Sequence, residues 1–485
     1  MIRLRARVAK DGRAIFDVWR ELIAQPRFGA SALNLAHYLA FRRDDLRPLQ
    51  RKLMPLGLSS LGRAEGHVLA TLDAVTVALE ALAGGERPKR AWSPSPFQFF
   101  RGERMLKRNT ELLFGPQPAG RGRIMVTLDT QAADDPGFVV ELGRHGADAV
   151  RINCAHDSSD IWTRMVANVR KAEQTIGRRF RILMDIAGPK VRLTDVATPP
   201  ETNRLNVGDE ILLCRDLSAS FDRVRFKASC APAEVMDDLK TGDPISIDDG
   251  KLWGHLVRAV PGGFVARIEE GRLKGLRLKP QRGVNFPGVA LNLDPLTEKD
   301  RRDLDFIVHN ADLVGYSFVE TAQHVAQLQS ELAARRSDMR KLGLVAKIET
   351  PRAVKNLPEI IVQSAGQQPL AIMIARGDLA IELGFTRLAE MQEEILWLCE
   401  AAHIPAIWAT QVLEGLVRKG IPSRGEMTDA AMAGRAECVM LNKGPNVLRA
   451  IDTLDRLLRR MSEHQVKKTP TLRALRSWSE EHPAR

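Results

Sequence analysis

Eight short apolar or β-branched runs, most of them separated by amphipathic segments of helical length, predict an α/β protein built on a (β/α)8 barrel. The runs are "RIMVTL", "DAVRINC", "RILMDI", "DLVGYSF", "LGLVAKI", "LAIMIA", "PAIWAT" and "ECVMLN". Segments such as "DPGFVVELGRHG" and "RLAEMQEEILWLCEAAH" supply the helical crossovers. Between the third and fourth runs, residues 193–281 hold "LNVGDEILL", "PISIDDGKLWGHLV" and "GGFVARIEEG" with turn residues between them, the pattern of an inserted all-β domain. A doubly wound sheet is the alternative architecture, but it does not need eight strands.

Taken in order, residues 1–115 read as a helical N-terminal domain and linker. Leu33, Ala36, His37, Ala40 and Phe41 recur at helical spacing, as do Val68, Leu72, Val75 and Leu79 before a Gly pair. His37 and His67 read as packing residues of a helical bundle. "GGERPKRAWSPSPFQFF" reads as the linker. Residues 116–192 and 282–465 form the barrel, 193–281 a lid, and 466–485 a loosely ordered basic tail.

Composition narrows the function. The net charge of +12, from 72 Lys plus Arg against 60 Asp plus Glu, suits a nucleic-acid binder or an enzyme for acidic, phosphorylated substrates. The basic residues are spread along the chain and only two Tyr are present, so no nucleic-acid partner is expected. No apolar run is long enough to span a membrane. "MIRLRARVAKDGRAIFDVW" lacks the apolar core of a secretory signal. The five cysteines are odd in number and lack CxxC spacing, which fits a reducing cytoplasm better than disulfides or structural zinc.

The C-terminal ends of barrel strands converge on one mouth. Here they carry Arg151 and Asn153, Asp185, Ser317, Lys347 and Glu349, Arg376 and Asp378, and Thr410. Glu349 and Asp378, on neighbouring strands, are hard oxygen ligands suited to a Mg²⁺ that keeps several waters. Lys347 lies two residues before Glu349, so both side chains leave one strand on the same face. A cation beside a metal site would stabilise an anionic transition state, as phosphoryl or enolate chemistry requires. The segment after "ARGD" can offer backbone N–H groups to a carboxylate or phosphate. A purely structural Lys–Glu–Asp ion cluster is the competing reading.

Seven ordered motifs give the chain a resemblance to the pyruvate kinase family: "AVRINCAH", "MDIAGPKVRL", "SIDDG", "RGVNFPGVALNLDPLTEKDRRDLDF", "VAKIET", "IARGDLAIELG" and "WATQVLEGLVRKGIPSRGEMTDAA". The likeness covers roughly residues 121–445 and includes the inserted β domain. It implies transfer of the phosphoryl group of phosphoenolpyruvate to ADP in glycolysis, giving pyruvate and ATP, with Mg²⁺ or Mn²⁺ on Glu349 and Asp378. By the same resemblance, Lys347, Thr410 and Arg151 are catalytic, and Gly377, Asp378, Thr410 and Ser317 bind substrate. Arg151, Asn153, His156, Arg192 and Asp249 would meet the nucleotide, Asp249 from the lid.

Departures from the family pattern qualify that reading. Asn153, Asp185 and Lys190 fall at the monovalent-cation site or its substitute. Lys190 stands where potassium-dependent members have Glu, Ala155 where many have Ser, and Ile186 where many have Thr. Members with Lys at this place resemble potassium-independent enzymes, so K⁺ is not expected to be required. On the nucleotide side, "TLDTQAADD", Ala187, Arg282, Asn442 and Lys443 replace family residues. A phosphoenolpyruvate enzyme with another acceptor or reaction, and a non-catalytic phosphoenolpyruvate sensor, are therefore kept as alternatives. The family usually carries a further α/β domain after the barrel, and few residues follow the eighth run here. Effector regulation through such a domain is not expected, while a homo-oligomer built through the N-terminal helices is an open expectation.

Overall fold

The computed structural model describes residues 1–84, 93–118, 120–217 and 224–470. Eight parallel strands close into a barrel, each hydrogen-bonded to the next in sequence and the eighth to the first. They are Arg123–Thr127, Ala149–Asn153, Arg181–Asp185, Leu313–Tyr316, Gly343–Ile348, Leu370–Ala375, Ala406–Ala409 and Cys438–Leu441. Each coincides with one of the eight apolar runs. Side chains such as Met125, Leu183, Val345, Met373, Ile407 and Met440 fill the interior, so the barrel is a packed core and not a pore. Leu113 and Phe114, at the end of the helix Arg101–Phe114, join this cluster.

Between the third and fourth strands, a seven-stranded sheet with its own core around Ile211, Phe226, Ile245 and Leu256 forms the lid. Its outer strands, Arg192–Ala197 and Val284–Asn285, reach past the expected limits of 193 and 281. The reason is continued pairing: Arg192 and Gly283 bridge the two hinge segments.

The N-terminal region is helical, with Ile2–Trp19, Pro26–Phe41, Arg47–Leu53 and Val68–Leu82 ahead of Arg101–Phe114. Ala36, His37, Ala40, Phe41, Val68, Leu72 and Val75 are buried, as their spacing required. His37 packs against Gly12, where a Cβ would come within 2.4 Å of the His37 ring. His67 Nδ1 lies 2.8 Å from Thr71 Oγ1. Of the expected linker, residues 85–92 lie outside the described residues, and Ser95 caps a short helix, Pro96–Phe99.

These helices share one continuous hydrophobic core with the outer layer of the barrel. The seam is also hydrogen-bonded. Gln25 N donates to Gly366 O at 2.8 Å, and Asn34 Nδ2 to Ala401 O at 2.8 Å. Buried His403 lies 3.0 Å from Ser31 Oγ through Nδ1 and 2.9 Å from Gly66 O through Nε2. Where a loose tail was expected from residue 466, Gln465–Val466 and Thr469–Pro470 pair as a hairpin. Lys467 and Lys468 between them reach Glu437 and Glu65, which explains its order. Residues 471–485 lie outside the described residues. Among the described residues, no helix is long and apolar enough to cross a membrane.

Candidate active site

Four barrel strands place one ionic cluster at the mouth. Arg151, on the second strand, donates to Asp185 Oδ2 through Nε at 2.7 Å, and its Nη2 lies 2.6 Å from the same oxygen. Lys347 Nζ lies 2.7 Å from Ser317 Oγ, 3.0 Å from Glu349 Oε1 and 3.6 Å from Asp185 Oδ2. Glu349 Oε2 accepts from Phe318 N at 2.6 Å. Gly315 makes this packing possible, because a Cβ there would lie 1.6 Å from Asp185 Oδ1. That oxygen is buried without a hydrogen-bond partner among the described residues.

The charges hold one another. Burial pushes the Asp185 carboxyl up, but Arg151 and Lys347 outweigh it and keep the carboxyl below its ordinary range. Burial likewise opposes the Lys347 ammonium, and Glu349 and Asp185 more than restore it, so its pKa is raised. Glu349 is raised by burial and by the neighbouring negative charge of Asp378, against the pull of Lys347. The two carboxylates thus lie close enough at the barrel mouth for the charge of Asp378 to act on Glu349.

The donor set fits Mg²⁺. Glu349 and Asp378 are hard oxygen donors, and among the described residues no group of three or more His, Cys, Asp or Glu side chains could enclose a metal. Mg²⁺ is commonly held by one or two carboxylates, with water and substrate oxygens completing its shell.

Asp378 opens the helix Arg376–Leu383, which follows the sixth strand directly. Its Oδ1 lies 2.7 Å from Lys190 Nζ, which comes from the lid hinge and is 3.5 Å from Asp249 Oδ1. Burial lowers the Lys190 pKa, but Asp378 and Asp249 outweigh it and raise it. Gly377 N donates to Thr410 Oγ1 at 2.8 Å. Thr410 and Gln411 both hold positive φ, +64° and +55°, a strained pair of the kind concentrated at functional sites.

Arg376 corrects the sequence expectation. It does not converge on the mouth. Its guanidinium donates to Ala409 O at 2.9 Å and pairs with Asp429, lying 4.8 Å from the Trp408 ring centre. Arg376 also donates to Thr410 O at 2.5 Å, so it braces the strained turn from behind.

On the opposite side of the mouth, Asn153 Oδ1 accepts from Ala155 N at 3.2 Å and shapes the turn that carries His156. His156 is lowered by burial and then by the nearby positive charges of Lys443 and Arg192. Lys443 Nζ lies 3.6 Å from Asp129 Oδ1, joining the eighth and first strand ends. Arg192 is held at the hinge by Gln281 O, 3.1 Å away. A cavity of about 570 Å³ opens between Asp249, Lys251 and Arg272 of the lid and Gln411 and Glu414 of the barrel.

Three supporting acids escaped sequence reasoning. Asp300, fully buried, accepts from Ala187 N at 2.9 Å and Gly188 N at 3.3 Å, fixing the loop after the third strand. The capping-box pattern of Thr297 and Asp300 was its available signal. Glu382 accepts from Asn285 Nδ2 at 3.1 Å and so ties the lid's return hinge to the barrel. Glu382 and Asp429 fall within quoted motifs, but their partners lie 97 and 53 residues away in sequence, so their roles were not legible.

The family model for the pyruvate kinase barrel domain matches residues 119–445. A pyruvate kinase of Agrobacterium vitis is 30% identical over 352 residues, 71% of this chain and 70% of the relative. One from Dictyostelium discoideum is 30% identical over 348 residues, 70% of this chain and 66% of the relative. Human pyruvate kinase PKLR is 32% identical over 315 residues, 62% of this chain and 52% of the relative. The chain thus spans between about half and about 70% of the length of these curated relatives.

Proposed function

The chain belongs to the pyruvate kinase family, and from that premise we propose that it transfers the phosphoryl group of phosphoenolpyruvate to ADP, giving pyruvate and ATP. The observation that carries this reading is the Lys347 ammonium, buried between Ser317, Glu349 and Asp185 at 2.7, 3.0 and 3.6 Å. Its raised pKa keeps it charged at neutral pH. It therefore serves as fixed positive charge and not as a base.

In this reading the bond from phosphorus to the enol oxygen breaks as a bond to a β-phosphate oxygen of ADP forms. Lys347 and Arg151 meet the charge that spreads over the phosphoryl oxygens and the enolate. The Asp378 N–H, and the Gly377 N–H once it leaves Thr410 Oγ1, its partner at 2.8 Å here, would meet the substrate carboxylate, with Thr410 beside them. Thr410 stands near the face where the enolate carbon takes its proton, which completes pyruvate. Asn153, His156 and Arg192 border the nucleotide phosphates, and Asp249 approaches them from the lid. Glu349 and Asp378 would hold Mg²⁺ or Mn²⁺, which supplies Lewis-acid polarisation of the same oxygens.

We read Lys190 as the substitute for a monovalent cation, acting through Asp378 and Asp249 and not through Asn153 or Asp185. Its ammonium faces Asp378 at 2.7 Å, which supports turnover that needs no K⁺. The test is pyruvate release from phosphoenolpyruvate and ADP with Mg²⁺, with and without K⁺ at fixed ionic strength, beside Lys347→Met. ADP-dependent release that collapses in the variant supports the reading, and a strong potassium requirement removes the role of Lys190. The Lys443–Asp129 pair favours a second reading, in which the phosphoenolpyruvate half is retained and the acceptor differs. Substrate binding with Mg²⁺ but no ADP-dependent release would select it.

A further inference from the structure

We propose that the N-terminal end of the barrel, opposite the mouth, binds a small molecule carrying two phosphate groups. Two cavities of about 600 and 410 Å³ adjoin there and share Leu112, Leu113, Arg340 and Pro369 in their walls. Each has its own cations. Arg27 and Arg108 line the first, with Glu111 as its one carboxylate. Arg170, Arg179, Arg181, Arg336 and Lys341 line the second, with Asp312 as its one carboxylate. Arg340 stands between them.

The positive charge is not used up within the protein. Asp312 is shared by Arg170 at 3.1 Å, Arg179 at 3.0 Å and Arg181 at 3.6 Å. Arg170 has a second partner in Glu173 at 2.7 Å, and Arg340 and Lys341 face Asp338 at 3.7 and 3.4 Å. The excess charge of the second cavity therefore rests on Arg179, Arg181 and Arg336. Arg27 and Arg108 form no ion pair among the described residues. In the same cavity, Gln25 Nε2 is buried without an acceptor among those residues. Gln25 also precedes the helix Pro26–Phe41, which has no side-chain cap, so the positive end of its dipole adds to the field.

Concavity distinguishes this face from an ordinary solvated basic surface. Buried Leu113, Leu370 and Ile404 give the first cavity an apolar floor beneath the exposed Arg27 and Arg108, which strengthens the field of those cations within it. Guanidinium forks match phosphate oxygens two at a time. Two lobes with separate cation sets suit two separated phosphates better than one. The third to sixth barrel strands begin at these walls, with Arg181, Leu313, Gly343 and Leu370, and the third and fifth carry Asp185 and Lys347 at the mouth.

Calorimetry on the full chain without Mg²⁺ tests the site, using inorganic phosphate, glucose 1,6-bisphosphate, adenosine 3′,5′-bisphosphate and a 20-nucleotide RNA. At least one bisphosphate is expected to bind one per chain, about tenfold or more tighter than inorganic phosphate. Which of the two binds better identifies a sugar or a nucleoside source. Arg27→Ala with Arg108→Ala is expected to weaken binding about tenfold or more, while Arg192→Ala at the mouth leaves it unchanged. Arg27→Lys with Arg108→Lys keeps the charge without the fork and is expected to weaken binding about threefold. This pair decides the matter if the alanine pair does not fold. Binding no tighter than inorganic phosphate, affinity untouched by these substitutions, or loss through Arg192→Ala would overturn the proposal. So would RNA binding tighter than either bisphosphate, which would assign the face to nucleic acid.

Discussion

Lys190 Nζ sits 2.7 Å from Asp378 Oδ1, so a lid-hinge residue neutralises a carboxylate of the candidate metal site directly. The pair links the lid to the barrel mouth as well as balancing charge, because Lys190 also faces Asp249 at 3.5 Å.

Lys190→Glu reverses the sign of that contact. The variant should lose about 100-fold or more in kcat without K⁺, the scale of removing one preorganised charge from an active site. Added K⁺ should restore a large part of the loss, since a bound monovalent cation can neutralise the acidic cluster. The measurement is kcat against K⁺ concentration at constant ionic strength. Potassium-insensitive activity in the variant would detach Lys190 from the cation role.

Lys347→Met has two separable consequences. Catalysis should fall about 100- to 1,000-fold in kcat, from loss of charge beside the phosphoryl group. Stability should also change, because Asp185 and Glu349 lose the ammonium they share. Breaking a buried pair costs about 3–5 kcal/mol, part of which protonation of Glu349 offsets, its pKa being raised already. Thermal unfolding beside steady-state kinetics separates the two. Unchanged kcat in a folded variant would refute the catalytic role.

The eight strands were legible because burial on both sides of a barrel wall demands continuous apolar runs. Lys347, Glu349 and Asp378 were legible because strand ends converge wherever such a barrel closes. Arg376 was misplaced for a related reason. It lies one residue past its strand, where the chain has already turned into a helix and alternation no longer fixes direction. Its partner Asp429 lies 53 residues away. The seam between the N-terminal helices and the barrel was invisible, since it consists of contacts such as Ser31 with His403 across 372 residues.

Gly102 tests how closely that seam is fitted. A Cβ there would lie 2.1 Å from Gly66 O and 2.5 Å from His403 Nε2. Backbone cannot give way as a side-chain tip can, so Gly102→Ala should destabilise the protein by about 1–3 kcal/mol, the scale of overpacking. Ala is otherwise the better helix former by about 1 kcal/mol. A stabilised variant in a denaturant melt would show that the helix is free to move away.

The same seam contains a buried group, His403, and a half-buried one, Glu400, whose pH dependences oppose each other. Burial lowers His403 to about 4. Its unfolded form takes a proton near pH 6.5, so its contribution declines as pH falls from about 6.5 to about 4. Burial raises Glu400 to about 7. Its contribution is complete below the unfolded value near 4.5 and is lost as pH rises through about 7. Over the shared window the two slopes nearly cancel, each being about 1.4 kcal/mol per pH unit at most. Relative to the parent protein, Glu400→Gln should therefore lose more stability on acidification and His403→Gln less, the comparison cancelling His37, which burial also lowers to about 4. Denaturant midpoints at pH 5 and pH 6.5 for both variants check the signs. Parallel profiles for the two would mean that neither group titrates in the folded seam as its burial requires.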